Sequence, residues 1–222
     1  MKIQSEYKNA CSLIKKWRYR YDVSKVVKLF VAQWAYECTG LYQPAEREVQ
    51  EDEFIEVAKP LSHILANLMY SGVSDPLAFI LSEFCKGDAK HQGYYPTPPE
   101  VGYLISKLLQ SDLDIPDKNA SFSRPGNLKI YEPCCGSAGI IMEKLEQVFY
   151  QNIALDEPLG HVELTVEDIS STTLHAFCIQ LIFKIKYLSW VSGKKAEPLQ
   201  IDINQVDVLS RNQGKIRYLF TR

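Results

Sequence analysis

Leu128–Ile141 reads LKIYEPCCGSAGII. A short apolar run ends in an acid and a proline, a glycine-bounded turn follows, and an amphipathic helix then begins. Strand, tight turn, helix is the order in which a parallel α/β sheet builds a nucleotide-cofactor site. Gly136 and Gly139 bound the turn, where a positive φ or the close approach of a ligand excludes side chains. The spacing is not G-x-G-x-x-G, so the three-glycine pyrophosphate cradle is missing and a dinucleotide is disfavoured.

The pattern downstream alternates strand and helix, which predicts a parallel sheet with right-handed crossovers. Leu128–Pro133 is the first strand and residues 138–150 the first helix. Residues 161–168 form the second strand, 171–188 the second helix, and 201–209 the third strand. Residues 216–220 begin a fourth. Three acids fall at successive strand ends. Glu132, just before Pro133, presents a carboxylate to the turn, which suits a ligand carrying an ammonium group rather than a phosphate. Asp168 ends the second strand, where an acid accepts the hydroxyls of a ribose. Asp207 lies near the end of the third, within reach of a base edge in the same crevice. Amine, ribose and adenine contacts in that order describe S-adenosylmethionine better than NAD; surface acids at loop starts are the plain alternative.

Upstream, residues 1–87 read as a helical subdomain. Apolar positions at Tyr7, Ala10, Cys11, Ile14 and Trp17 keep a helical period. Ser24 is placed to cap a second helix that Gly40 terminates. A third run carries Phe54, Val57, Leu61, Leu65 and Leu68, with Pro60 placed to kink or split it. Ser74-Asp75-Pro76 opens a fourth helix, which stops at Gly87. The domain boundary is therefore set between a helical unit, 1–87, and a sheet-containing unit, 88–222. Residues 91–100, HQGYYPTPPE, hold a capping box at Thr97–Glu100. On spacing alone this stretch is a rigid aromatic linker.

Composition excludes several classes. At 46% hydrophobic and 23% charged residues the chain is an ordinary globular one. It has no apolar run of about 18 residues to cross a membrane and no secretion signal. Net charge is −2, far from a self-sufficient basic nucleic-acid-binding domain. The charge is uneven: residues 1–30 hold eight Lys/Arg against two acids, and residues 31–60 seven acids against two bases. Cysteines at 11, 38, 85, 134, 135 and 178 include no C-x-x-C pair, which argues for reduced thiols in a cytoplasmic protein and for no metal site.

Four segments in order, GYYPTPPEVGYLISKLL, IYEPCCGSAGI, VEDISSTTLHAFCIQLIF and INQVDVL, resemble the N6-adenine DNA methyltransferases of type I restriction–modification methylation subunits. In that family a G-x-[FY]-[YF]-T-P segment precedes a D-P-x-C-G-S-G-G turn. A strand ending in an acid then leads into an S/N-P-T-T helix, and a D-T-L segment follows. Tyr95 and Thr97 correspond to the first motif, with Pro96 as an extra residue. Glu132, Pro133, Cys135, Gly136, Ser137 and Gly139 correspond to the cofactor turn, with Glu in place of Asp and Ala138 where glycine is usual. Asp168, Thr172 and Thr173 correspond to the ribose segment, and Asp207 and Leu209 to the adenine-side segment. The resemblance covers about residues 88–215.

It implies a Rossmann-like S-adenosylmethionine-dependent methyltransferase fold with a partial parallel sheet and an all-α N-terminal subdomain. It further implies S-adenosylmethionine as cofactor, and cofactor-binding roles for Tyr95, Thr97, Glu132, Pro133, Gly136, Ser137, Gly139, Asp168 and Asp207. DNA is the implied partner, reached through a complex with specificity or methylation subunits. The family transfers its methyl group with an N-P-P-[FY] segment straight after the fourth strand, and none occurs in these 222 residues. Arg222 falls where its asparagine is expected. The sequence thus predicts a chain truncated before that motif, with no catalytic residues of its own. Either it works with a partner chain, or it is a non-catalytic homologue acting as a binding or regulatory partner of a restriction–modification complex.

Overall fold

The strands alternate apolar and polar residues, as LKIYEP in β1 (Leu128–Pro133) shows, and that alternation dictates a sheet with one packed and one solvated face. The computed structural model describes residues 2–85, Leu104 and residues 126–222. β1 pairs in parallel with β2 (Val162–Asp168), and β2 in parallel with β3 (Gln200–Val206). The inward rows are Ile130, Leu164, Ile201 and Phe220, then Glu132, Val166, Ile203 and Tyr218. The outward rows carry Lys129 and Glu163, 3.8 Å apart, and Asp202, which is 3.1 Å from Arg217.

The order β1-β2-β3-β4 corrects the expected topology. β4 (Gln213–Thr221) runs antiparallel to β3, and β3 stops at Val206 rather than continuing to residue 209. Only six residues, 207–212, join the two strands, whereas a parallel crossover needs a dozen or more. The Asp207 N–H donates to the Asn212 carbonyl and the Arg211 N–H to the Asp207 carbonyl, closing a hairpin. At the register shift between Asn204 and Val206 the Gln205 side chain reaches β4, and its Oε1 accepts the N–H groups of Lys215 and Ile216. Gly214 leaves room for that side chain, since a Cβ there would overlap it. The doubly wound order 3-2-1-4 would instead set the fourth strand beside the first. The fold is therefore mixed α/β with a mostly parallel sheet, without the specific Rossmann strand order among the described residues.

Helix α5 (Gly139–Gln151) joins β1 to β2, and α6 (Ser171–Ser192) joins β2 to β3. Both crossovers advance the sheet in the same direction, so right-handed connections put both helices on one face. α6 is buried on every side from Thr173 to Leu181, as expected of a helix between two layers. Leu174, Phe177, Cys178 and Leu181 join the sheet-side core, while Ala176 and Ile179 join the core of the N-terminal helices.

Those helices are α1 (Lys2–Lys16), α2 (Val23–Thr39), α3 (Asp52–Tyr70) and α4 (Pro76–Phe84). α2 is capped by Asp22, not Ser24; the Asp22 side chain accepts the Lys25 N–H, and Gly40 ends the helix at φ 72°. α3 continues through Pro60 unsplit. α4 is capped by Asp75 and ends at Phe84, short of Gly87. The aromatic linker and capping box at residues 91–100, and the boundary at 87/88, lie outside the described residues.

Candidate cofactor site

The turn after β1 concentrates backbone strain. Cys134, Gly136 and Ala138 have φ of 60°, 55° and 116°. Glycine adopts such angles freely, but Cβ-bearing residues do so at a cost of about 1–3 kcal/mol, and they persist only where surroundings over-determine them. Asp168 holds the turn from the sheet side. Its Oδ2 accepts the Gly136 N–H at 2.9 Å, and its Oδ1 accepts the Ser170 N–H and the Thr173 hydroxyl, each at 2.9 Å. Ser170 caps α6 through the Thr173 N–H. One carboxylate thus ties the cofactor turn to the start of the next helix.

Glu132 sits in the inward row with Val166, Ile203 and Tyr218, each fully or almost fully buried. Its Oε2 is shielded from solvent and has no hydrogen-bond partner among the described residues. Burial, reinforced by the charge of Asp168, pushes its carboxyl up to about 7. A buried acceptor left unpaired costs about 1–3 kcal/mol, and a cation that reached it would remove that penalty. Beside it, α5 begins at Gly139 with Ala138 as N-cap and no side-chain cap. The amide groups of an uncapped helix start favour an anion. An orphaned carboxylate next to an uncapped helix start matches the ammonium and carboxylate of an α-amino acid.

The other expected residues fall as follows. Pro133 ends β1, exposed, in register with Glu167. Ser137 is buried and its hydroxyl donates to Asp75 Oδ2 at 2.9 Å, so that group faces α4. Asp207 lies in the β3–β4 hairpin and turns its carboxylate back onto the hairpin's own residues. Oδ1 accepts from the Leu209 and Ser210 N–H groups, Oδ2 accepts the Ser210 hydroxyl at 2.7 Å, and these bonds hold the acid below its usual range. Leu209 is 96% exposed at the hairpin tip. Tyr95 and Thr97 lie outside the described residues. Burial and the charges of Asp168, Glu132, Asp207 and Glu167 raise the Cys134 thiol, which argues against an activated nucleophile there. Among the described residues no cluster of His, Cys, Asp or Glu is arranged to hold a metal, and no helix is long and apolar enough to cross a membrane.

Two features escaped the sequence reading. On the outer face Glu167 accepts a bidentate pair from Arg211 at 2.7 and 2.9 Å and the Tyr131 hydroxyl at 2.8 Å, fastening the hairpin to the ends of β1 and β2. On the inner side Asp75 and Gln180 meet Ser137. The one available signal was Gln180 itself, a polar residue within the apolar run LHAFCIQLIF.

In this mixed α/β fold the strained turn, the orphaned acid and the uncapped helix start lie between the carboxyl end of β1 and the first residues of α5. Residues 71–175 match the model of one family, N-6 DNA methylase. The matched segment takes in α4, β1, the turn, α5, β2 and the start of α6, and so begins upstream of the boundary expected at 87/88. The match supports that family for the matched segment. No curated protein and no solved structure matched the chain.

Proposed function

We propose that the chain binds S-adenosylmethionine as the cofactor-holding part of an adenine-N6 DNA methyltransferase of the type I methylation-subunit kind. The observation that carries this reading is the orphaned, solvent-shielded Oε2 of Glu132 inside the segment that matches the family. Glu132 takes the ammonium group of the methionine moiety, and the uncapped start of α5 takes its carboxylate. Asp168 is the ribose acceptor. Three of its roughly four lone-pair sites are in use, so a ribose hydroxyl either takes the fourth or displaces the Gly136 N–H. The bound cofactor supplies an electrophilic methyl group. What this chain contributes is orientation and charge: Glu132, ionised when it meets the ammonium, fixes one end of the ligand, and the turn backbone shapes the other.

The transfer step needs the stacking aromatic and the edge acceptors of an N-P-P-[FY] segment. DNA enters as substrate through a complex with a specificity subunit, in the cytoplasm. A second reading, a non-catalytic homologue with a regulatory role, is favoured by one observation. β4 runs antiparallel, so Thr221 pairs with Gln200 at the amino end of β3, and Arg222 pairs with Glu157 there, away from Asp168.

Titration calorimetry with S-adenosylmethionine at pH 8 tests the cofactor assignment. Binding that falls at least about tenfold in Glu132→Gln is expected. No heat, or an unaffected variant, overturns it. Transfer of a tritiated methyl group to unmethylated DNA by residues 1–222 alone would overturn the claim that an N-P-P-[FY] segment is required.

A further inference from the structure

Gln180 lies in the middle of α6, 1% exposed. Both ends of its amide are engaged. Oε1 accepts the Leu77 N–H at 2.9 Å, and Nε2 donates to Asp75 Oδ1 at 2.8 Å and to the Ser137 carbonyl. Asp75 in turn caps α4 by accepting the Ala78 N–H at 3.0 Å and accepts the Ser137 hydroxyl at 2.9 Å. The first turn of α4, the middle of α6 and the strained turn after β1 therefore share one node. Every bond in it joins a segment distant in sequence or caps a helix, and a satisfied network of this kind rigidifies what it connects.

The turn carries three positive φ values in five residues and is gripped from two sides. Asp168 holds Gly136 from the sheet, and Asp75 with Gln180 holds Ser137 from the helical layer. Removing the second grip leaves the strained backbone determined from one side only. We propose that Asp75 and Gln180 are positioning residues through which the N-terminal helices hold the cofactor turn in its binding-ready shape, so that docking of α4 and ligand binding at the turn are one linked equilibrium. The inference rests on the reading that this turn binds S-adenosylmethionine. Linkage is reciprocal: the ligand tightens α4, and loosening α4 weakens the ligand.

Hydrogen exchange on the full chain, read by mass spectrometry over peptides covering 134–142, 162–168 and 182–192, tests this without a ligand. In Asp75→Ala, exchange across 134–142 rises by about tenfold or more while the other two regions stay within about twofold, the mark of a local opening. Asp75→Asn keeps the cap, and the Ser137 hydroxyl reverses to accept from its amide, so exchange at the turn stays near the parent. Acceleration that is uniform along the chain, or absent at the turn, overturns the proposal. If Asp75→Ala does not fold, Ser137→Ala removes a single bond of the node and is read in the same way. Calorimetry with S-adenosylmethionine completes the test. Affinity falls in Asp75→Ala and is kept in Asp75→Asn; unchanged affinity in Asp75→Ala overturns the linkage. A parent protein that binds no S-adenosylmethionine refutes the cofactor reading, while the exchange comparison still decides the positioning role.

Discussion

The Tyr42 hydroxyl donates to the carbonyl of Arg217 at 2.6 Å and accepts the N–H of the same residue at 2.8 Å. One side chain, 175 residues away in sequence, makes the two bonds that a neighbouring strand would make on the outer edge of β4. Its ring packs edge-on against buried Tyr218, 5.1 Å between centroids, which fixes where the hydroxyl points. An exposed edge strand is a template for unwanted pairing, and here the loop after α2 blocks it.

Tyr42→Phe keeps the ring contact and loses both bonds. A loss of about 1–2 kcal/mol is expected in urea denaturation, with a concentration-dependent rise in apparent mass on size-exclusion chromatography as the freed edge pairs. A monomer of unchanged stability would show that solvent replaces the hydroxyl without cost.

Ala138 stands at φ 116°, fully buried, where the side chain is strained and glycine is not. Ala138→Gly gains the relief of strain and loses some through the greater freedom of the unfolded chain. The net expectation is a stabilisation of about 0.5–1 kcal/mol, seen as a higher denaturant midpoint at unchanged m-value. A lower midpoint would mean that the turn is not strained at this residue.

Glu132 titrates near 7 in the folded chain against an ordinary value of 4.5. The folded state therefore binds more protons than the unfolded state between those values, and stability falls as pH rises through that window. Glu132→Gln removes this dependence and is expected to stabilise the ligand-free protein at pH 8 by on the order of 2–3 kcal/mol. Binding of a cationic ligand runs the other way: affinity rises about tenfold per pH unit up to 7 and levels off above it. Calorimetry from pH 5.5 to 8.5 checks the sign, and a flat profile would exclude Glu132 as the ammonium partner.

Gly214→Ala forces the Gln205 side chain out of the β3–β4 bulge, where it satisfies Lys215 and Ile216. A cost of about 1 kcal/mol is expected. It is non-additive with Gln205→Ala, since both changes remove the same two bonds; additive losses in a double-mutant cycle would contradict the shared cause.

Much of the architecture was legible because it rests on short-range physics. β1 falls at Leu128–Pro133 as read, since an alternating run bounded by proline and glycine specifies a strand by itself. α4 starts where Asp75-Pro76 says it should, because the cap and the N1 proline act within one turn. The direction of β4 was legible too, in the six residues before it, but the alternating pattern upstream outweighed that short connection. The Asp22 cap was missed because Ser24 and Asp22 are equally good N-cap residues, and only the backbone angle selects between them.

At the site, the residues of Leu128–Ile141 determined a strand, a tight turn and a helix, and the acids at 132, 168 and 207 determined that strand ends carry negative charge. Tertiary structure decided what each acid does. Asp168 spends its oxygens on Gly136, Ser170 and Thr173, and Asp207 spends its own on Ser210 and Leu209. Of these three acids, Glu132 is left with a buried oxygen that has no hydrogen-bond partner among the described residues. Sequence lists donors and acceptors, but which of them meet depends on the register of distant strands and on α4 docking against α6. The turn LKIYEPCCGSAGII is therefore local in its making, and its shape is held by Asp75 and Gln180, one from well before it and one from well after.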